Sequence, residues 1–194
     1  MQIDKNFHSK RNCVRLIQDN EHIYVEKKFF NLMDYRTECE WYMMLRTRGF
    51  YIPKLLNSNT DTLTLQMEYI QGITLLEHLE ILEAMNDQEG AILWMSRLFE
   101  NFKRLNQQVG CYYSDVNLRN FLVFGDRLYL LDFEAIRSGK ELPIAKTLAF
   151  YLLYRPMKTS FKQKVVKMCL CNNMQGHIEP KVWEWVEHIE QRRL

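Results

Sequence analysis

The stretch from Tyr113 to Glu134 reads YSDVNLRNFLVFGDRLYLLDFE and carries the residues best suited to chemistry. Two short apolar runs, FLVF and LYLL, flank Gly125-Asp126-Arg127, which predicts a hairpin. Such a hairpin returns the chain to within about 5 Å of where it left. Asn120 precedes the first run and Asp132 follows the second, so the spacing predicts neighbouring side chains. Asp115 lies five residues upstream of Asn120, on the loop leading to the same end. Two carboxylates and a carboxamide then converge. Hard oxygen donors of this kind suit Mg²⁺, which is usually held by one or two carboxylates plus substrate phosphates. A remaining carboxylate can accept a proton from an attacking hydroxyl. Taken singly, each of the three is equally at home forming a turn or capping a strand end.

The elements that must position them divide into a β-rich beginning and a mostly helical remainder. CVRLIQ and HIYVEKKFF are β-rich runs separated by Asp19-Asn20-Glu21, a turn signal, and MQIDKNF supplies a shorter strand before them. Residues 34–48 predict a helix in which Glu38, Tyr42 and Leu45 share a face. Gly49 ends that helix, Pro53 starts an extended segment, and LTLQMEYI is a further apolar strand closed by Gly72. GAILWMSRLFENFKRL is the clearest amphipathic helix, and helical patterns return at roughly 143–154, 160–171 and 180–193. Pro180 suits the first turn of the last of these. The fold class expected is α+β, with a β-rich lobe over residues 1–70 and a helical lobe over 71–194 that contains the 115–132 hairpin.

Asp-x-x-x-x-Asn, a short hairpin and then Asp-Phe-x resembles the catalytic-loop and metal-loop signature of the protein-kinase-like superfamily. The small atypical branches are the most similar: aminoglycoside phosphotransferase-like enzymes, lipopolysaccharide sugar kinases and RIO-like kinases. The Asp132-Phe133-Glu134 ending resembles the Asp-aromatic-Glu variant of the first of these. This resemblance implies a two-lobed kinase-like fold with a minimal β-rich N-lobe and a reduced helical C-lobe. It implies ATP and Mg²⁺ as cofactors, Asp115 as the catalytic base, and Asn120 and Asp132 as metal ligands. It also implies a strand lysine that steadies nucleotide phosphates and a helix glutamate that orients it. Strand alternation favours Lys27 over Lys28, and Glu38 leads Glu40 for the partner; both pairs of alternatives stay open. LTLQMEYIQG is similar to the adenine-holding strand and hinge, with main-chain groups of Glu68 and Ile70 facing the base.

The pattern departs from the superfamily in several places. No Gly-rich phosphate loop exists, since the first glycine is Gly49. His8-Ser9-Lys10-Arg11-Asn12 stands in its place, with Ser9 as the residue that would touch phosphate. Tyr113 and Ser114 replace the His-Arg that precedes the catalytic aspartate in ordinary kinases, and no Ala-Pro-Glu follows Asp132. Regulation through a phosphorylated activation loop is therefore not expected. The function expected is γ-phosphate transfer to a hydroxyl of a small molecule or sugar, with a protein serine or threonine as a further acceptor class. The alternative is a pseudokinase or scaffold that binds nucleotide or a partner without catalysis.

Composition bounds what else the chain can be. Its 194 residues are 47% hydrophobic and 26% charged, which excludes a disordered or fibrous class. The 26 basic residues nearly balance 24 acidic ones, so charge makes no general case for nucleic acid or an anionic membrane. A basic stretch of Arg155, Lys158, Lys162, Lys164 and Lys167 offers a peripheral contact with an anionic acceptor or membrane surface. No apolar run approaches the ~20 residues of a membrane span, and MQIDKNFHSKRNC has no apolar signal core, so the expectation is a cytoplasmic protein. Five cysteines without CxxC spacing predict free thiols, and a zinc site from Cys169, Cys171 and His177 matches known ligand spacings poorly. Of Trp183 and Trp185, the one sharing a face with Val182 and Ile189 is expected to pack.

Overall fold

The structure, a computed structural model, describes residues 2–7, 12–18, 22–173 and 178–192. It is a mixed α+β protein that divides into two compact units. The first comprises Met1–Gly72 together with Phe124–Glu134, and the second comprises Ile73–Val123 and Ala135–Leu194. Residues 124–134 thus group with the strands of the first unit. Ser9 and the Asp19-Asn20-Glu21 turn lie outside the described residues.

The first unit is built on a five-stranded antiparallel sheet. Its strands are β1 (Gln2–Phe7), β2 (Cys13–Gln18), β3 (Ile23–Lys28), β4 (Leu55–Asn59) and β5 (Thr64–Glu68), in the order β1-β2-β3-β5-β4. In β5 the alternation is strict, with Leu65 and Met67 buried between less buried neighbours. That period of two sets the inner face of the sheet. The same pleat buries Lys27 and turns Lys28 to solvent. Pairing places Val14 and Leu65 on either side of Lys27, so its stem crosses an apolar strip. Helix α1 (Leu32–Thr47) lies between β3 and β4 in the chain. Asn31 caps it by accepting the Asp34 N–H at 2.8 Å. Its buried stripe is Tyr35, Glu38, Tyr42 and Leu45, spaced at three and four residues. The segment after Pro53, expected only to be extended, forms edge strand β4, whose polar residues face water.

The second unit begins with the two-residue β6 (Ile73–Thr74), which leads into α2 (Leu75–Ala84). Thr74 and Glu77 form a capping box at that junction. Asn86, at φ 56°, breaks the helical run before α3 (Gln88–Val109). The buried face of α3 carries Ala91, Trp94, Met95, Leu98, Phe99, Phe102 and Leu105, a helical stripe of the width a core needs. Gly110 closes it at φ 71°, the left-handed position that glycine occupies without strain. The chain then forms β7 (Cys111–Tyr113) and β8 (Phe121–Phe124), and β8 pairs with β6. After a turn with Gly125 at φ 59°, β9 (Arg127–Leu130) returns to the first unit. There the Leu130 N–H donates to the Tyr51 carbonyl at 2.9 Å.

β10 (Ile136–Ser138) pairs with β7, and three helices complete the second unit: α4 (Ile144–Leu153), α5 (Ser160–Asn173) and α6 (Ile178–Gln191). They fall on the three expected helical patterns, with Pro180 in the first turn of α6. Helix α4 is buried almost all round and packs on both α5 and α6. Among the described residues, no helix is long and apolar enough to cross a membrane.

Phe102 of α3, Tyr113 of β7 and Phe121 of β8 form an aromatic triangle, with ring centroids 5.5–6.0 Å apart. Tyr113 and Phe121 flank residues 114–120, so this triangle anchors both ends of that loop to α3. All three side chains are essentially buried. Phe102→Ala is therefore expected to lower the unfolding free energy by about 3–5 kcal/mol. Urea unfolding checks this; a loss under about 1 kcal/mol, the size of a surface substitution, would show that the triangle does not carry the core there.

Candidate functional site

Two groups of polar residues stand out, one in each unit. In the first unit the Lys27 ammonium sits among three carboxylates. It lies 3.0 Å from Glu38 Oε1, 3.1 Å from Glu134 Oε1 and 3.6 Å from Asp132 Oδ1. Lys27 and Glu38 are buried, Glu134 is largely covered, and Asp132 is 43% exposed. Oxygens of the three acids lie within 4.8 Å of one another, close enough to hold a metal ion. The cation at their centre is the chain's own lysine. Asn12, at the entrance to β2, donates its side-chain amide to Glu134. Lys28 and Glu40 are both exposed.

Local structure explains how these groups meet. β3 delivers Lys27 to the inner face, and the buried stripe of α1 delivers Glu38. Phe133 is 1% exposed and packs edge-on against Tyr42 of α1 at 4.8 Å. That contact seats the residues on both sides of it, Asp132 and Glu134. Asp132 adopts φ 55°, a left-handed conformation that aspartate tolerates better than most residues and that clusters at functional sites.

The electrostatics are tightly coupled. Burial works against the charge on Lys27, but the carboxylates of Glu38, Asp132 and Glu134 outweigh it and raise the pKa. Burial pushes Glu38 up to about 7 against the pull of Lys27. One Glu38 oxygen faces Lys27; the other, Oε2, is buried with no hydrogen-bond partner among the described residues. The charges of Asp132 and Glu134 add to burial in raising the Glu38 pKa.

In the second unit, residues 114–120 form a loop shaped by its own side chains. Asp115 is exposed and its Oδ1 accepts the Asn117 N–H at 3.1 Å. The Asn117 Oδ1 accepts the Arg119 N–H at 3.1 Å, and the Asn117 carbonyl accepts the Asn120 N–H at 2.9 Å. Asn120 ends a short 3₁₀ turn, and its Nδ2 is buried without a partner among the described residues.

The remaining candidates are distributed as follows. Glu68 ends β5, and its N–H is committed to the Lys54 carbonyl at 2.8 Å, so a nucleobase contact through Glu68 would use its carbonyl. The Ile70 side chain is buried. The basic stretch is not a uniform solvated face. Lys162 is 1% exposed, and Lys158 pairs with Glu190 at 2.6 Å. Arg155, Lys164 and Lys167 face solvent. Cys169 is buried and Cys171 exposed, while His177 lies outside the described residues. Trp183 is exposed, and Trp185 is half-buried beside Lys146.

Glu134 escapes a reading of residue types. Its signal is the acidic residue two positions after Asp132, which alternation around Phe133 returns to the same lysine. Asn12, which holds Glu134, gives no such signal.

Set against known proteins, residues 11–166 match the family model described as ABC1 atypical kinase-like domain. No curated protein matches the chain.

Removing the ammonium leaves three carboxylates facing one another in a largely dry site. Lys27→Met is expected to cost about 3–5 kcal/mol in urea unfolding near pH 8, with part of the loss recovered in Lys27→Met/Glu38→Gln. A single variant as stable as the wild type would show that Lys27 does not balance the triad. The Glu38 proton is linked to folding as well. Its folded pKa of about 7 lies above the ordinary 4.5, so the folded state holds the proton more tightly. The stability this contributes is present below pH 4.5 and is lost as pH rises through about 7. The unfolding free energy of wild type minus that of Glu38→Gln should therefore fall by about 1–3 kcal/mol across this window. A flat or rising difference would mean that Glu38 is ionised throughout.

Proposed function

The chain belongs to the ABC1 atypical kinase-like family, and on that premise we propose that it is an ATP- and Mg²⁺-dependent phosphotransferase acting on a hydroxyl of a small molecule or sugar. The observation that carries this reading is the buried Lys27–Glu38 pair with Asp132 beside it. Apolar residues of similar volume would serve stability as well or better. A lysine held at that cost, by acids placed through a strand, a helix and a left-handed turn, is suited to steadying phosphate oxygens.

In this reading Asp115 orients the acceptor hydroxyl and takes its proton. The hydroxyl oxygen bonds to the γ-phosphorus as the bond from that phosphorus to the β–γ bridging oxygen breaks, and ADP leaves with the electron pair. Asp115 is exposed, as a base that must meet a substrate has to be. Its Oδ1 bond to Asn117 N–H fixes its direction. Asn120 and Asp132 offer oxygen donors to Mg²⁺, which when bound neutralises charge on the phosphates. Asp132 presents a half-exposed carboxylate of the kind such an ion takes, and Asn120 would contribute its side-chain oxygen, its buried Nδ2 being a hydrogen-bond donor. Lys27 holds the phosphates, and Glu38 and Glu134 hold Lys27. In the same reading Glu68 and Ile70 belong to the segment that would meet the adenine, and Ser9 is the residue that would touch phosphate.

A second reading is a scaffold that binds nucleotide or a partner without turnover. It is favoured by the lack of any glycine before Gly49, where a phosphate-cradling loop would stand.

Thermal unfolding with Mg²⁺-ATP, with ATP alone and with neither tests nucleotide binding, and a transfer assay separates the two. Ligand at a hundred times its dissociation constant adds about 2.7 kcal/mol, which moves the midpoint by about 2–4 °C in a chain of this size. The phosphotransferase reading expects a shift that needs Mg²⁺. It also expects Asp115→Ala to keep that shift while losing about 10²-fold or more of transfer to a panel of sugar and alcohol acceptors. Full activity in Asp115→Ala would overturn its role, and no shift at millimolar nucleotide would overturn nucleotide binding altogether.

A further inference from the structure

The loop from Ser114 to Asn120 has internal hydrogen bonds that set its shape but not its place. Asx-type contacts of this kind tie residues two or three apart and turn with the segment that carries them. Ser114 donates its N–H and hydroxyl to the Ala135 carbonyl at 2.7 and 2.8 Å, and helix α4 adds two further attachments. At one end of α4 the Lys146 ammonium donates to the Ser114 carbonyl at 2.5 Å. At the other end the Tyr154 hydroxyl donates to Asn117 Oδ1 at 2.8 Å and accepts the Leu118 N–H at 3.2 Å. The Arg119 guanidinium lies over the Tyr154 ring at 5.5 Å. Eight residues separate Lys146 from Tyr154, about 12 Å along a helix axis. One hydrogen bond would leave the loop free to pivot, whereas two attachments that far apart on a buried helix do not.

Lys146 is not where helix stability would put a cation. It is the third residue of α4, near the positive end of the helix dipole, and that first turn holds no acidic residue to offset it. The carbonyl of Ser114 and the face of the Trp185 indole, 5.1 Å away on α6, compensate the ammonium instead. The Tyr154 hydroxyl is equally unneeded for capping, since the backbone N–H of Tyr154 already bonds the Phe150 carbonyl.

We propose that Lys146 and Tyr154 are positioning residues: the two ends of α4 grip the Ser114–Asn120 loop at Ser114 and at Asn117–Leu118 and so fix Asp115 and Asn120 for reaction. This rests on the phosphotransferase reading for the roles of Asp115 and Asn120, while the grip itself rests on geometry within the second unit. It extends past the matched residues 11–166 to Trp185 on the C-terminal helix.

Three variants test it: Tyr154→Phe, which keeps the ring and removes one oxygen, Lys146→Met, and Lys146→Arg as the conservative rescue. The first readout is amide hydrogen exchange of the 113–121 segment. Tyr154→Phe and Lys146→Met are expected to speed it by about tenfold or more, with α3 unchanged and Lys146→Arg close to wild type. The second readout is ADP release from Mg²⁺-ATP with water as acceptor. There kcat is expected to fall about tenfold while KM for Mg²⁺-ATP stays within about twofold, since the nucleotide-facing lysine is untouched. Unchanged exchange in the loop overturns the proposal, as does exchange that rises equally in α3, because either result makes Lys146 and Tyr154 ordinary packing residues. An unchanged kcat beside faster loop exchange overturns it too. A wild type that turns over no ATP counts against the phosphotransferase reading, and the exchange experiment then decides the grip alone.

Discussion

One buried ammonium organises the first unit. Lys27 can be kept charged away from water only if opposite charge surrounds it, and the three acids that do so come from positions 38, 132 and 134. Bringing them together needs the β3 register, the inward face of α1 and the docking of Phe133 on Tyr42. A slip of one residue in β3 would turn Lys27 to solvent and Lys28 inward, away from all three. The cluster is therefore a readout of the whole unit's folding. Asp132 pays for its place with a left-handed backbone that the surrounding packing must hold.

The charges do not balance evenly. One lysine meets three acids, and the deepest of these, Glu38, has an oxygen with no donor and a pKa near neutrality. A cluster built only for stability would have a donor there or an apolar residue instead. Of the other two acids, Asp132 is the more exposed and Glu134 is largely covered.

Much of this was legible in the residues, and the parts that were not share a cause. The period-two runs and the amphipathic stripe of α3 belong to elements whose burial is one-sided, so pattern and structure coincide. The α2–α3 break at Asn86 carries no Pro or Gly, and β4 reads as polar because it is an edge strand whose only fixed partner is β5. Lys162 reads as part of a basic helix face, yet it turns inward to the carbonyls of Tyr154 and Pro156 at 2.9 and 2.8 Å, with Glu83 at 3.5 Å. Nothing in a helical pattern reveals main-chain acceptors offered by a neighbouring loop. Glu134 and Asn12 are hidden in the same way, since 122 residues separate the two partners. What the sequence conceals here is the polar contact made across distance.

The loop around Asp115 shows how two kinds of force divide one task. Phe102, Tyr113 and Phe121 bury both its ends, which fixes the ends in position but leaves the peptide planes between them free to turn. Dispersion is non-directional, so no addition of apolar area would orient Asp115. Orientation needs hydrogen bonds, and those come from the Ala135 carbonyl, which Ser114 meets twice, and from Lys146 and Tyr154 on α4, a helix among the most buried in the chain. Burial at the base and directed bonds from the side leave Asp115 itself exposed. A side chain that must meet a substrate can spare one carboxylate oxygen, here to the Asn117 N–H, so the rest of the constraint is placed on its neighbours. Ser114, Asn117 and Leu118, the residues on either side of it, are the ones the structure holds.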